Sequence, residues 1–304
     1  MRSGTVAVVG RANAGKSTLI NVIVGEKVSI VSPKPQTTRD RILAVYNAED
    51  CQIVFQDTPG IYKASSLLNE RMQKTAVRTA DDVDLVLMLV DAHDGLKSED
   101  KELIDRFVNR GEYKMIIALT KTDITADGVI PKVVTDIGEL PSDKVICVTA
   151  ISSRTGKNVK KLIALLKDNL PEGDPIITQD IISDKSEKFM IAEIMREKVL
   201  LKYDKEIPHG VAVVVNTFER RDSGSYYISL DIVCEKPNHK AIIIGKQGRA
   251  LKETAAFARA GMEKFLDAKV FLEVYVKVKT DWRNRPDRLH EYGYDGDESN
   301  GGIK

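Results

Sequence analysis

An apolar segment that leads directly into a glycine-rich loop is the feature that most restricts what this chain can fold into. Thr5–Val9 forms a strand-like run, and Gly10–Ser17 reads Gly-Arg-Ala-Asn-Ala-Gly-Lys-Ser ahead of a helical pattern. The spacing G-x-x-x-x-G-K-S between a strand and a helix is typical of a phosphate-binding loop. Its glycines let backbone N–H groups point at an anion, and the helix N-terminus favours negative charge. The segment predicts binding of a nucleoside triphosphate, with Lys16 on the β- and γ-phosphates and the Ser17 hydroxyl on Mg²⁺.

Composition and cysteine usage restrict the class of protein. The 304 residues suit two domains, and 42% hydrophobic and 30% charged residues with a net charge of +1 are ordinary for a globular protein. No basic-then-apolar signal pattern is present, and the longest apolar runs are too short to span a membrane. Cys51, Cys147 and Cys234 are far apart, so we expect core residues in a reducing cytoplasm. The histidines lack metal-ligand spacing, which predicts no structural metal.

Strand-like and helical segments alternate in the first half of the chain. Ile42–Tyr46 and Gln52–Gln56 are separated by a polar turn and predict a hairpin. The alternation predicts an α/β fold, a mostly parallel sheet with helices on both faces and one antiparallel edge strand. Further strands are predicted at Leu85–Val90, Met115–Leu119 and Val145–Val148, and helices near residues 17–24, 66–80, 99–109, 129–138 and 158–169.

Polar motifs follow three of these strands, at the sheet edge where ligands bind in such folds. After the first, Asp57 would hold Mg²⁺ through its water shell, and the Gly60 N–H would meet the γ-phosphate. After the second, Asp123 would accept from the N1–H and 2-amino groups of guanine, which adenine lacks. Such sites reject the wrong ligand by on the order of 10⁴-fold or more. Each motif alone is also compatible with a polar turn, but their order at successive strand ends favours a guanine nucleotide site.

These motifs resemble those of the translation-factor-like GTPases and, more specifically, the Era family. The resemblance covers nearly the whole chain and implies a P-loop GTPase domain. Thr120 stands where the family has Asn, which implies lower guanine affinity with selectivity kept by Asp123, and Thr149 stands where the family has Ser. The matching segments of the first half are Gly10–Ser17, Gln36–Asp40, Asp57–Gly60, Thr120–Asp123 and Thr149-Ala150.

The resemblance also implies roles in hydrolysis. Thr37 or Thr38, in a proline-containing loop, would close on Mg²⁺, and Ile61 stands where Ras-type enzymes have a water-positioning Gln, so slow intrinsic turnover is expected. Asn13 could coordinate K⁺ against the phosphates, as in similar GTPases, or stiffen the loop by bonding its own backbone. Expected catalytic residues are Asn13, Lys16, Thr38 and Gly60, and expected Mg²⁺ ligands are Ser17, Thr38 and Asp57. Expected GTP contacts are Gly10, Arg11, Ala12, Asn13, Ala14, Gly15, Lys16, Ser17, Thr18, Thr37, Thr38, Asp57, Thr58, Pro59, Gly60, Ile61, Thr120, Lys121, Thr122, Asp123, Thr149 and Ala150.

The order of elements in the second half predicts a smaller α+β unit, a type II KH domain. Pro171–Pro175 breaks the preceding helix and indicates the start of a linker. A helix over Glu187–Leu201, two strands, a helix, the tetrapeptide Gly245–Gly248, another helix and a strand then follow. A GxxG pattern alone is a weak signal, but its place between apolar helical segments and its Lys246 suit a loop that clamps a nucleic-acid backbone.

Local charge points to an RNA partner. Lys236–Arg285 contains twelve Lys or Arg against five Asp or Glu; the alternative is a solvated face on a structural domain. In the Era family a C-terminal segment contacts the 3′ end of small-subunit ribosomal RNA, and Asp281-Trp282, Arg288-Leu289 and Gly293-Tyr294 match it, with Asp281 replacing a Gly. Trp282 would stack on a base or pack against its own domain. Expected RNA contacts are Gly245, Lys246, Gln247, Gly248, Arg249, Lys252, Trp282, Arg283 and Arg288.

The resemblance implies a GTP-hydrolysing switch that binds 16S ribosomal RNA and assists assembly of the 30S subunit, with Mg²⁺ and GTP or GDP as cofactors. We expect a GTP-binding domain over 1–170, a linker over 171–184, a KH domain over 185–280 and an RNA-contacting segment with a disordered tail over 281–304. An RNA-binding assembly factor with incidental hydrolysis is the alternative; the KH-like order argues against a tRNA-modification GTPase. We expect a cytoplasmic monomer that does not bind DNA, and peripheral contact with the inner face of the membrane stays open.

Overall fold

The computed structural model describes residues 1–60, 66–78, 83–110, 113–140 and 144–294. The chain forms two compact units, and neither is continuous in sequence. Among the described residues, the first unit comprises 1–29, 38–60 and the chain from 72 to 184. The second comprises 30–37, 66–71 and 185–294, so two short segments from the first half of the chain belong to the C-terminal unit. The predicted disordered tail, 295–304, lies outside the described residues.

A six-stranded sheet forms the centre of the first unit. Its strand order is β2-β3-β1-β4-β5-β6, with β2 antiparallel to β3 and the other pairs parallel. All five parallel strands therefore present their carboxyl ends at one edge. The elements are β1 (Arg2–Gly10), α1 (Lys16–Val24), β2 (Ile42–Ala48), β3 (Cys51–Asp57), α2 (Leu67–Arg78), β4 (Leu85–Asp91), α3 (Ser98–Arg110), β5 (Lys114–Thr120), α4 (Val129–Gly138), β6 (Val145–Ala150) and α5 (Val159–Asp168).

Both faces of this sheet are buried, which explains why its central strands are apolar throughout. Along β4, Leu87 packs in a core with α1 and α5, while the next residue, Met88, packs in a second core with α3 and α4. Each fully buried aliphatic side chain of this kind contributes roughly 1.5–3 kcal/mol to folding. The two cores fix the sheet and thereby the positions of the loops at its carboxyl edge.

Residues 171–184, the predicted linker, lie along the sheet of the first unit. The Val45 N–H donates to the Ile182 carbonyl at 2.8 Å, and the Leu43 N–H donates to the Asp184 carboxylate at 2.9 Å. Gln52 Nε2 donates to the Ile177 carbonyl at 2.7 Å. The segment thus pairs with the outer edge of β2, which would otherwise expose unpaired backbone groups. The chain that follows the proline- and glycine-containing stretch 171–175 is therefore bound to the first unit, up to residue 184.

The second unit contains a three-stranded sheet in the order β7-β8-β9, with β7 and β8 antiparallel and β8 and β9 parallel. Helices α6 and α8 pack together, and a Cβ at Gly261 would lie 3.1 Å from Ile194 Cγ2, so glycine permits their close approach. The Ser186 hydroxyl accepts from the Phe189 N–H at 3.2 Å and caps α6. The elements are α6 (Glu187–Lys202), β7 (Ala212–Arg220), β8 (Tyr226–Cys234), α7 (Pro237–Ile244), α8 (Arg249–Leu266), β9 (Val270–Val278) and α9 (Pro286–Glu291).

The predicted architecture is confirmed: a mostly parallel sheet with one antiparallel strand, followed by a smaller α+β unit. Two boundaries lie where side-chain pattern is a poor guide. Helix α7 begins at Pro237, because proline is well suited to the first helical position. Strand β7 continues to Arg220 through a bulge between Val215 and Thr217, which interrupts the alternation of buried and exposed residues.

Candidate functional site

The phosphate loop between β1 and α1 adopts a backbone that requires glycine. Gly10 has a φ of 149°, and a Cβ there would lie 2.5 Å from the Leu89 carbonyl oxygen. Gly15 has a φ of 94° and precedes the first turn of α1. Gly60 approaches the same loop, since a Cβ at Gly60 would lie 3.1 Å from Ala12 Cα. The loop and the Asp57–Gly60 motif are therefore in contact, as a γ-phosphate site needs.

Lys16 lies over the centre of this loop. Its Nζ donates to the carbonyl oxygens of Gly10 at 3.0 Å and Arg11 at 2.9 Å. Burial lowers the pKa of Lys16 to about 8, and the nearby charge of Asp57 opposes this effect only in part. A bound triphosphate would raise this pKa again, because a neighbouring negative charge favours the ammonium form. The site thus binds the phosphates more tightly with Lys16 charged.

Arg11 does not extend toward the phosphate position. Its Nε donates to both carboxylate oxygens of Asp100, at 2.9 and 2.8 Å, and Asp100 lies buried in the first turn of α3. Burial raises the pKa of the Asp100 carboxyl, with hydrogen bonds from Lys97 and Arg11 acting against it. Arg11 is expected to contact GTP, and its backbone can do so. Its side chain instead holds the loop against α3 through the ion pair with Asp100. Asp100 was not predicted, because an acid in the first helical turn is common for dipole reasons alone.

Four oxygen-bearing side chains meet beside Lys16. Ser17 Oγ donates to Asp57 Oδ2 at 2.7 Å and lies 2.9 Å from Thr38 Oγ1. The hydroxyl of Ser29, a residue that sequence reasoning did not identify, also donates to Asp57 Oδ2, at 2.9 Å. Thr37 is directed elsewhere, since its Oγ1 donates to the Lys34 carbonyl at 2.6 Å. Thr38 is thus the threonine whose hydroxyl reaches Ser17 Oγ, which in turn donates to Asp57.

This oxygen cluster fits a magnesium ion. Asp57 is fully buried, and its Oδ1 has no hydrogen-bond partner among the described residues. Burial raises the pKa of the Asp57 carboxyl, although the Ser17 and Ser29 hydrogen bonds and the Lys16 charge act against it. A buried carboxylate with a free oxygen beside two hydroxyls offers the hard ligands that Mg²⁺ prefers. The donor set therefore suits Mg²⁺ bound through Ser17, Thr38 and, directly or through water, Asp57.

A cavity of about 170 Å³ opens beside the phosphate loop at the ends of β5 and β6. Asp123 lines it, and Asp123 Oδ1 accepts from Ser152 Oγ at 2.7 Å. That hydrogen bond lowers the pKa of Asp123, so its carboxylate stays charged at neutral pH. Among the predicted base contacts, Thr122, Thr149 and Ala150 do not line the cavity. The lining residues are Gly15, Thr18, Thr120, Lys121, Asp123, Ile124, Ser153 and Arg154.

Thr120, one of the residues that depart from the family pattern, connects the base cavity to the phosphate loop. Its buried Oγ1 donates to the Ala14 carbonyl at 2.8 Å, and the Val90 carbonyl lies 3.3 Å away. Next to it, Lys121 forms an ion pair with Asp91 at 2.5 Å at the end of β4. The threonine hydroxyl therefore links the end of β5 to the phosphate loop at this position.

We expect Thr120→Val to weaken GTP binding about 10-fold, because the isosteric change leaves the buried Ala14 carbonyl without its donor, a loss of about 1–3 kcal/mol. Equilibrium titration with GTP measures the effect. Thr135→Val is the matched control, since Thr135 Oγ1 bonds within α4 to Pro131. Equal GTP affinity in both variants would show that Thr120 does not support the site.

The GxxG tetrapeptide forms a tight turn between α7 and α8. Gly245 and Gly248 have φ values of 70° and 74°, and a Cβ at Gly245 would lie 2.6 Å from Ala250 Cβ. A groove of about 610 Å³ in the same unit is lined by residues of α7, α8 and all three strands, including Lys240, Leu251 and Lys277, the last of which pairs with Asp231 of the lining. The side chains exposed at or after the turn are Lys246, Gln247, Arg249 and Lys252.

The expected RNA contacts of the C-terminal segment have protein partners in this structure. Trp282 is fully buried; its Nε1 donates to the Gly210 carbonyl at 3.0 Å, and its ring stacks on Tyr294. Of the two predicted roles for Trp282, the structure therefore shows packing within the unit. Arg283 pairs with Glu235 at 2.6 Å, and Arg288 pairs with Glu291. Ile61, one of the predicted GTP contacts, lies outside the described residues.

Comparison with known proteins assigns the chain to a family. The family described as 50S ribosome-binding GTPase matches residues 5–121, and the KH domain family matches residues 206–283. The GTPase Era of Clostridium kluyveri is 40% identical over 97% of this chain and 99% of its own length. Within the described ranges, no helix combines the length and the apolar character needed to cross a membrane.

Two solved structures agree in fold over nearly the whole length. One is a point variant of Era from Aquifex aeolicus bound to GDP·AlF4⁻, and the other is Era in complex with MgGDPNP and nucleotides 1506–1542 of 16S ribosomal RNA. Each is 36% identical, covers 97% of this chain and 99% of its own, and has a TM-score of 0.92. The phosphate loop, the base cavity and the KH unit all lie within the part of the chain that these matches cover. The chain belongs to the Era family of GTPases.

Proposed function

We propose that this protein is a GTP-hydrolysing switch that binds small-subunit ribosomal RNA and assists maturation of the small ribosomal subunit. The observation that carries the proposal is the presence, in one chain, of a guanine nucleotide site and an exposed basic GxxG loop beside a groove. The similar Era complex with nucleotides 1506–1542 of 16S ribosomal RNA supports the choice of RNA. We further propose that it acts in the cytoplasm as a monomer, with residues 1–170 serving GTP and 185–280 serving RNA.

The nucleotide site suggests how hydrolysis proceeds. Mg²⁺, when bound, would neutralise charge on the β- and γ-phosphate oxygens. Ser17, Thr38 and Asp57 would hold it, and Lys16 would donate to the phosphates from above the loop. The Gly60 N–H would meet the γ-phosphate, since this glycine already lies against the phosphate loop. Asn13, exposed at the loop tip with a φ of 63°, would supply an oxygen ligand for K⁺.

RNA binding through the GxxG loop is tested by Gly248→Asp. We expect binding to an RNA of the 1506–1542 sequence to fall at least about 10-fold, because the new carboxylate repels phosphate and the φ of 74° strains any side chain. GTP affinity is expected to stay unchanged. Filter binding of the RNA and equilibrium titration with GTP measure the two effects.

Gly224→Asp provides the matched control for this experiment. Gly224 has a φ of 80° and open space around its Cβ position, but it lies in the turn between β7 and β8. The two variants therefore carry similar strain and the same added charge. If both bind RNA like the unmodified protein, the GxxG loop is only a helix connection. Turnover of GTP with and without small ribosomal subunits separates a switch from an RNA-binding factor with incidental hydrolysis.

A further inference from the structure

Helix α6 of the second unit buries three charged side chains within two turns. Glu193, Arg196 and Glu197 are only 7%, 1% and 4% exposed. Charged side chains are rarely buried to this degree unless they are paired or hydrogen-bonded, because removing them from water is costly. The core of the second unit does not explain them, since its members are apolar side chains of α6, α8 and the sheet.

Glu193 and Arg196 pair with each other, and Glu197 Oε2 pairs with Lys198 at 2.6 Å on the same helix. The remaining partners of Arg196 and Glu197 lie in the segment 30–37, which belongs to the same unit. Arg196 Nε donates to Glu193 Oε1 at 2.6 Å, and Arg196 Nη2 donates to the Thr37 carbonyl oxygen. Glu197 Oε1 accepts from the Val31 N–H at 3.1 Å. Charge-assisted hydrogen bonds of this kind are about twice as strong as neutral ones.

A third attachment point lies at the end of the helix. Lys34 Nζ donates to the Tyr203 carbonyl and forms an ion pair with Asp204 at 2.8 Å. The segment is therefore held at its beginning, middle and end, at Val31, Lys34 and Thr37. Two of these three contacts are made to backbone groups of the segment, so they fix the course of its main chain.

We infer that Arg196 is a positioning residue for GTP hydrolysis. Its guanidinium fixes the Thr37 carbonyl, and the next residue is Thr38, whose Oγ1 lies 2.9 Å from Ser17 Oγ. The Thr37 carbonyl and the Thr38 N–H belong to one peptide group, so this contact restrains the main chain next to the Thr38 hydroxyl. The inference rests on the proposed function and adds to it a residue far along the chain that touches neither nucleotide nor metal.

The chemistry of the contact suits a segment that binds and leaves. If segment 30–37 moves away from α6, water hydrates Arg196, Glu193 and Glu197, and this hydration offsets much of the free energy of the lost hydrogen bonds. Separation of an apolar contact would instead expose apolar surface to water, which is unfavourable. If the position of Thr38 and the contact of segment 30–37 with α6 are coupled, a ligand that stabilises Thr38 in its present position also stabilises that contact, by the same coupling free energy.

Replacing the ion pair as a whole tests this role, because removing Arg196 alone would leave Glu193 buried without its partner. In the full-length Glu193→Gln/Arg196→Gln protein we expect kcat for GTP to fall about 10-fold or more, since small misplacements of reacting groups cost up to about 10²-fold. KM for GTP and the affinity for GDP should change less than about 2-fold, because Lys16 and Asp123 are untouched. Lys34→Ala removes a second attachment point and should lower kcat in the same direction.

Hydrogen exchange supplies a readout that does not depend on activity. With a non-hydrolysable GTP analogue bound, we expect the Val31 amide to exchange at least about 10-fold faster in both variants, while amides of the phosphate loop keep their protection. Lys202→Ala is the control on the same helix, since Lys202 bonds to Glu253 and to the Ala250 carbonyl instead. Unchanged kcat and unchanged exchange at Val31 in folded variants would overturn the inference. Absence of hydrolysis by the unmodified protein would instead contradict the proposed function, and the exchange at Val31 would still report on docking.

Discussion

Asp123→Asn should change the preferred nucleotide of this protein from GTP to XTP. On the proposed assignment, the Asp123 carboxylate would accept from the two N–H donors of guanine. Xanthine has a carbonyl in place of the 2-amino group and needs a donor opposite it. The Asn amide supplies that donor and leaves guanine with a mismatched pair. Because sites built on such hydrogen bonds discriminate by on the order of 10⁴-fold, we expect the ratio of GTP to XTP affinities to change by about that factor. Equilibrium binding of both nucleotides to both proteins measures it.

The surroundings of Asp123 make this test specific. Ser152 donates to Asp123 Oδ1, and an Asn side-chain oxygen can accept the same bond, so the orientation of the side chain is retained. Asp127→Asn is the matched control, because Asp127 is an exposed acid in the following turn that does not line the base cavity. An Asp123→Asn protein that still prefers GTP would contradict the assignment of Asp123 to the base.

Potassium should accelerate GTP hydrolysis where sodium does not. On the proposed mechanism, K⁺ coordinated by Asn13 neutralises charge that develops between the β- and γ-phosphates, a task worth about 10³–10⁵ in rate when an arginine performs it. We expect stimulation of at least about 10²-fold by K⁺ at constant ionic strength, because the smaller Na⁺ cannot span the same ligands. Turnover measured with K⁺ replaced stepwise by Na⁺ is the test.

Asn13→Ala distinguishes the cation role from a structural one. If Asn13 holds K⁺, the variant loses the stimulation and keeps the basal rate; if Asn13 only stiffens the loop, basal turnover and GTP affinity fall together in both salts. Asn21→Ala is not a suitable control, because Asn21 holds Val28 and Ser29 through three hydrogen bonds. Asn169→Ala, just after α5, tests general loss of an asparagine instead, because the Asn169 amide donates to the Leu165 carbonyl of the helix that it follows. Equal rates in K⁺ and Na⁺ would contradict the cation role.

The order of strands and helices was predictable from sequence because burial on both faces makes strands such as β4 continuously apolar. The positions of Lys16, Ser17, Asp57 and Asp123 followed from the same argument, since the motif residues stand where parallel strands end. Contacts between residues distant in sequence were not predictable. The Arg11–Asp100 pair spans 89 residues, and nothing in a local pattern marks Asp100 as its partner.

The same limitation applies to hydroxyl groups around the site. Ser29 and Ser152 each donate to a predicted carboxylate, but an isolated serine in a loop carries no pattern that separates it from a turn residue. The grouping of 30–37 with the C-terminal unit was hidden for another reason. Two of its three described contacts use backbone groups of the segment, which every residue possesses, so the sequence of the segment does not record them.

The burial of Trp282 gives the protein an internal optical reporter. It is the single tryptophan among 304 residues, and its indole lies against Tyr292 and Tyr294 of the same C-terminal segment. Light emitted on tryptophan excitation therefore comes from one known place in the chain. Any event that releases this segment, whether an encounter with RNA or the onset of unfolding, should shift the emission to longer wavelength, and it can be followed in the unlabelled protein in real time.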